Sequence, residues 1–184
     1  MRLLAVSDIF GRTRHLENLV ECLTSTYECT DLLDPYGGAR LDFRNEQEAY
    51  AYFQVNIGLA KYRDILLGYL QNTEHTEFHL LGFSIGASAI WLVSEMLNFH
   101  ENTRATCFYS SQIRNFLKVQ PRLKIDLYFP ENEPAFEVNT IMKKLLRTPN
   151  LQCHQTDYHH GFMNKLSVNY HKEAYHRYIQ ILKN

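Results

Sequence analysis

The stretch Glu77-Phe78-His79-Leu80-Leu81-Gly82-Phe83-Ser84-Ile85-Gly86-Ala87-Ser88-Ala89-Ile90 decides how the chain is read. A short apolar run leads into Gly82-Phe83-Ser84-Ile85-Gly86, and a segment rich in small and aliphatic residues follows to about Phe99. The pattern fits G-x-S-x-G at a sharp strand-to-helix turn. Such a turn lifts a serine hydroxyl out of the sheet edge, where a base can reach it. Glycines two before and two after leave room for the turn to pack, and the helix start beneath supplies free N–H groups and a positive dipole end. The bland alternative is a serine that only N-caps the helix.

The same alternation runs outward in both directions. Leu3-Leu4-Ala5-Val6 is a strand ending at Ser7-Asp8, and Arg14 to Ser25 has Leu16, Leu19, Val20 and Leu23 at helical spacing behind the N-cap Thr13. Glu28 to Leu33 is a second strand, closed by Asp34-Pro35 and Gly37-Gly38. One long helix from Asp42 or Asn45 to about Asn72 follows, with Gly58 as its weak point. Tyr50, Tyr52, Phe53 and Tyr62 are expected to pack it on the sheet. Beyond the central stretch come strands at Ala105–Tyr109, Lys124–Phe129 and Leu151–Thr156 and helices at Phe136–Arg147 and Asn164–Leu182. In the last helix Leu166, Tyr170, Ala174, Tyr178, Ile181 and Leu182 are expected to face inward. Ser110 to Arg122 reads as a loop with one helical turn. Strands alternating with helices predict right-handed βαβ crossovers: an α/β, three-layer sandwich with about six mostly parallel strands in the order 2-1-3-4-5-6, as a single domain over 1–184.

Composition narrows the function classes. The chain has 184 residues, 45% of them hydrophobic and 21% charged, so a disordered or fibrous chain is excluded. With 19 Lys plus Arg against 20 Asp plus Glu, the formal net charge is −1, which offers no footprint for nucleic acid or an anionic membrane. No apolar run approaches a membrane span or a signal-peptide core, and the expected location is the cytoplasm. Cys22, Cys29, Cys107 and Cys153 form no C-x-x-C pair and read as reduced, mostly buried thiols. No metal or other cofactor is expected: His159-His160 are neighbours that point apart, His171 and His176 are five apart, and His154 has no evident partner. Asp8 to Gly11 before a helix lacks the Gly-Lys-Ser/Thr of a phosphate loop. Lys143, Lys144 and Arg147 form a solvated face at a helix end.

A serine nucleophile needs a base, and the base needs an orienting acid. Both occur downstream at strand ends, where sites of open parallel sheets form. Glu133 lies in Pro130-Glu131-Asn132-Glu133-Pro134 after the fifth strand, and His160 lies in Tyr158-His159-His160-Gly161-Phe162 after the sixth. Glu131 is the nearest rival acid, followed by Asp157 and Asp126.

Three separated segments, Ser7-Asp8-Ile9-Phe10-Gly11, Gly82 to Gly86 and His160-Gly161-Phe162, with Tyr128 to Pro134 between the last two, resemble the dienelactone hydrolase family of α/β-hydrolases. The resemblance implies Ser84 as nucleophile, His160 as general base, Glu133 as acid, and an oxyanion hole made by the backbone N–H groups of Ile9 and Ile85. It implies a reduced hydrolase fold without a cap domain, acting as a carboxylesterase-like serine hydrolase on a small-molecule ester or thioester, with no cofactor. Two positions depart from the family pattern: Ser84 stands where founding members carry Cys, and Glu133 where Asp is usual. The family's substrate-binding arginines match no position here. Asp8 matches an acidic position beside the nucleophile of the thiol enzymes, or caps the helix that follows. A catalytically inactive binding protein, an acyltransferase and a peptidase are the alternative readings of the same fold.

Overall fold

The computed structural model describes residues 1–73 and 76–183. Six strands form one sheet: β1 (Arg2–Val6), β2 (Cys29–Leu33), β3 (Phe78–Phe83), β4 (Arg104–Phe108), β5 (Lys124–Phe129) and β6 (Leu151–Gln155). Their order is β2-β1-β3-β4-β5-β6, and every pairing is parallel. Six helices flank it: α1 (Arg14–Glu21), α2 (Glu46–Asn56), α3 (Gly58–Gln71), α4 (Ile85–Val93), α5 (Val138–Leu145) and α6 (Lys172–Leu182). The expected architecture and strand order are both found, with no extra domain among the described residues. None of the described helices is long and apolar enough to cross a membrane.

The strands sort their side chains by parity. Leu4, Val6 and Leu80 join a core with α2, α3, α4 and α5, whereas Leu3, Leu81, Phe83 and Phe108 join a second core with α1 and α6. Both faces of the sheet are therefore covered, and the inner strands β1 and β3 are almost wholly apolar and buried, as parallel sheets require. Helix α4 is the innermost: eight of its nine residues are buried, including Trp91, whose indole N–H donates to the Phe116 carbonyl at 3.0 Å.

Several elements differ from the sequence reading, each for a local reason. The single long helix is two, broken where Gly58 takes φ +71°, a left-handed conformation that ends α2 after Asn56. Tyr62 and Phe53 are fully buried, but Tyr50 and Tyr52 stay 52% and 40% exposed and do not pack on the sheet. The last helix starts at Lys172 rather than Asn164, because Asn164 and Ser167 use their side chains to hold the Leu166 and Asn169 amides in turns that compete with helix. His171 then N-caps α6 by accepting from the Ala174 amide. Leu166 and Ile181 are correspondingly exposed. Helix α1 ends at Glu21, α4 at Val93 and α5 at Leu145, each earlier than expected. Of the four free thiols only Cys107 is fully buried; Cys153 is half-buried, and Cys22 and Cys29 are exposed.

The packing that positions the site is the approach of α4 to β1. A Cβ at Gly86 would collide with the Val6 and Ser7 carbonyl oxygens, and one at Gly82 would lie 2.7 Å from the Ala87 Cα. Backbone cannot yield as a side-chain tip can. Gly86→Ala is therefore expected to lower stability by about 1–3 kcal/mol, the usual cost of overpacking. A urea midpoint within error of wild type would contradict this account of the contact.

Candidate active site

Strand order reverses direction between β1 and β3, and the loops leaving their C-terminal ends carry Ile9 and Ser84. Ser84 has φ 50° and ψ −110°, a strained conformation for a residue with a Cβ. It is held there from both sides. Its N–H donates to the Phe108 carbonyl at 2.9 Å, and its carbonyl accepts from the amide and the hydroxyl of Ser88, both at 3.0 Å. The side chain makes no capping bond to α4, so the bland reading of Ser84 as an N-cap does not describe it. Its Oγ lies 3.0 Å from His160 Nε2 instead.

His160 Nδ1 lies 2.6 Å from Glu133 Oε1. With a carboxylate that only accepts, the proton of this bond belongs on Nδ1, and Nε2 of an uncharged ring can accept from the serine hydroxyl. The Glu133 side chain is 5% exposed and that of His160 22%, and both line the cleft. The Tyr109 ring packs on the imidazole with centroids 4.9 Å apart. Two loops from adjacent strands are tied together here. The Thr156 amide donates to the Phe129 carbonyl and the Glu131 amide to the Tyr158 carbonyl. The Asn169 side chain donates to the His160 carbonyl at 2.9 Å.

The rival acids are engaged elsewhere. Glu131 faces His159 across 3.8 Å at the surface, Asp126 pairs with His154 at 2.8 Å, and Asp157 is exposed. Ile9 and Ile85 both line the cleft with Ser84. The Asp8 carbonyl accepts from the Gly11 amide and the Ser7 hydroxyl, and the Ile9 carbonyl accepts from the Tyr36 hydroxyl. Because the peptide is trans, the Ile9 N–H points away from the Asp8 carbonyl. Neither the Ile9 nor the Ile85 amide has an acceptor among the described residues.

Asp8 does not cap α1; Thr13 does, accepting from the Leu16 amide. Asp8 is instead buried at the base of the site, with Oδ1 accepting from the Phe10 amide at 2.9 Å and Oδ2 from the Asn164 side chain at 2.6 Å. Burial pushes its carboxyl up to about 6, against the pull of those two hydrogen bonds and of nearby His160. Asn164 and Asn169 escaped the sequence reading because they were assigned to a helix. The signal was present in Asn164, Ser167 and Asn169, three turn-forming side chains within six positions of one another.

The cleft has a volume of about 580 Å³ and is open to solvent. Ser111 and Gln112, from the single 3₁₀ turn at Ser111–Asn115, form one rim. Among the described residues no group of three or more His, Cys, Asp or Glu side chains is placed to hold a metal ion.

Comparison with known proteins agrees with the architecture. No family model matches the chain. The uncharacterized protein YczH of Bacillus subtilis (strain 168) is 31% identical over 143 residues, covering 77% of this chain and 69% of that protein. Among solved structures, a dienelactone hydrolase-like promiscuous phosphotriesterase from metagenomic libraries superposes with a TM-score of 0.66 at 12% identity, covering 100% of this chain and 84% of that one. Est1E from Butyrivibrio proteoclasticus gives 0.62 at 10% identity, covering 99% and 85%. A lipase-esterase related protein from Clostridium acetobutylicum gives 0.63 at 11%, covering 98% and 93%.

The buried carboxyl of Asp8 has a consequence for stability. Its folded value of about 6 lies above its ordinary 3.8, so the folded chain holds its proton more tightly than the unfolded chain. Stability from this group is present below pH 3.8 and is lost as pH rises through about 6. The free-energy difference between Asp8→Asn and wild type should therefore shift in favour of the variant by of order 3 kcal/mol between pH 3.5 and pH 8. Parallel urea titrations of the two proteins measure it, and a constant difference would refute the assignment.

Proposed function

Because the chain shares its fold with solved α/β-hydrolases and belongs to one family with its Bacillus subtilis relative, we propose that it is a serine hydrolase cleaving a small carboxylic ester or thioester through an acyl-enzyme on Ser84. One observation carries this reading: the unbroken chain of hydrogen bonds from Glu133 through His160 to Ser84 Oγ, opening on a cleft. Three residues from three strand ends meet in the geometry of a nucleophile, its base and the base's orienting acid.

The reaction follows from those positions. Ser84 Oγ attacks the substrate carbonyl as its proton passes to His160 Nε2. Glu133 stabilises the imidazolium so formed and keeps the ring in the productive orientation. Negative charge on the former carbonyl oxygen is met by the Ile9 and Ile85 N–H groups, the second of which belongs to the first residue of α4 and carries the positive end of the helix dipole. His160 gives its proton to the departing alkoxide or thiolate, the C–O or C–S bond breaks, and the acyl group remains on Ser84. Water then attacks that ester with His160 as base, releasing the acid and restoring Ser84. A cleft without a cap domain suits small acyl and alcohol parts.

The test is direct. Wild-type protein should react with a fluorophosphonate probe at Ser84 and hydrolyse short-chain p-nitrophenyl esters, and Ser84→Ala should lower kcat by at least about 10⁴-fold. Glu133→Gln should cost about 10³- to 10⁴-fold in kcat with little change in KM, because the neutral amide no longer fixes the tautomer. Equal hydrolysis by wild type and Ser84→Ala, or an unlabelled Ser84, would reject the reading and leave a non-catalytic binding protein.

A further inference from the structure

The cleft beside Ser84 has a charge character that ester hydrolysis by itself does not require. Glu46 and Tyr50 both line it. They are four residues apart on α2, so they share one helix face. Glu46 is exposed, and its carboxylate has no ion pair or hydrogen bond among the described residues. Tyr50 is 52% exposed and has no aromatic neighbour there, although Tyr52 on the same helix is packed against Tyr36 and Phe43.

No Lys or Arg lines this cleft. Its other carboxylate, Glu133, is hydrogen-bonded to His160; His159 faces Glu131, and the rest of the polar lining is uncharged Ser84, Ser111, Gln112, Asn132 and Asn169. Glu46 is therefore the one carboxylate lining the opening that has no side-chain partner among the described residues. An anionic acyl or alcohol group meets no Lys or Arg side chain there. A carboxylate beside an accessible aromatic ring is instead the pairing that holds an ammonium group, the carboxylate by charge and the ring by its negative face. The ring matters here because the cleft is open, where charge attraction alone is screened.

Resting on the hydrolase reading, we infer that the substrate is a cationic ester or thioester, with an ammonium or quaternary ammonium group seated against Glu46 and Tyr50 while its carbonyl lies at Ser84. The group reacts with nothing. It orients the substrate, so its contribution falls on selectivity between charged and uncharged esters of the same shape.

Acetylthiocholine and its uncharged isostere 3,3-dimethylbutyl thioacetate test this, with kcat/KM read from thiol release for wild type, Glu46→Gln and Tyr50→Ala. Wild type should prefer the cationic thioester by at least about tenfold. The preference should fall toward one in Glu46→Gln, shrink in Tyr50→Ala and decline with added salt. A wild-type ratio near one, or a ratio unchanged by Glu46→Gln, overturns the inference while leaving the hydrolase standing. Binding of choline to Ser84→Ala protein, followed by NMR, separates the two ideas. Choline binding weakened at least about fivefold by a further Glu46→Gln supports the cation site even if neither thioester is cleaved, an outcome that would sink the hydrolase reading alone. Choline binding indifferent to Glu46 would overturn the site.

Discussion

Everything at the candidate site depends on how closely α4 begins to β1. The turn out of β3 must bring the chain into a helix within one residue, and Ser84 absorbs the change at φ 50° and ψ −110°. Such a conformation costs about 1–3 kcal/mol and persists only when its surroundings over-determine it. Here they do. Gly86 lies against the Val6 and Ser7 carbonyls, Gly82 against the Ala87 backbone, and Ser84 is bonded to Phe108 on one side and Ser88 on the other. The burial of α4 on nearly all sides makes the arrangement stiff, because moving the helix would disturb both the sheet beneath it and α3 beside it.

That stiffness is matched by cross-bonding between the loops. The β5, β6 and β1 loops are tied by specific polar contacts, and Tyr109 of the β4 loop packs its ring on His160. The β5 and β6 loops share the Glu131–Tyr158 and Thr156–Phe129 bonds, the His160 carbonyl is held by Asn169, and Asn164 reaches across to Asp8. The irregular segment from Asn164 to His171 is therefore a brace. Asn164 reaches from it to the β1 loop, and Asn169 bonds back to His160 within the same connection. The base proposed at His160, positioned this way, would need little reorganisation during proton transfer.

Strand order, the two-faced core and the meeting of Ser84, Glu133 and His160 were legible because they rest on features that are local and periodic. Apolar runs mark strands, helical spacing marks helices, and strand ends of a parallel sheet converge on one edge. What was not legible rests on competition between side chain and backbone. Asn164 and Ser167 look acceptable in a helix by spacing alone, and only their bonds to nearby amides reveal the turns. The fate of Tyr50 was equally hidden. An aromatic residue on an amphipathic helix is expected inside, and which face of α2 meets the sheet depends on the break at Gly58, a three-dimensional fact. Glu131 and Glu133 could not be separated by order or spacing, since they differ by two residues in one loop; their distances to His159 and His160 separate them.

The role of Asp8 follows from the choice of serine. A thiol can ionise near neutral pH, so an acidic neighbour bears directly on its state. A serine hydroxyl does not ionise in the ground state, so a carboxylate beside it has no such work. Asp8 instead spends both oxygens on its surroundings, one on the Phe10 amide and one on Asn164. The first bond helps close the turn in which the Asp8 carbonyl receives the Gly11 amide, and the Ile9 N–H in that turn has no acceptor among the described residues. Asp8 thus braces the turn that carries the Ile9 amide of the proposed oxyanion site. Its burial is what makes the arrangement costly above pH 6, and its two fixed donors, with nearby His160, are what keep that cost from being larger.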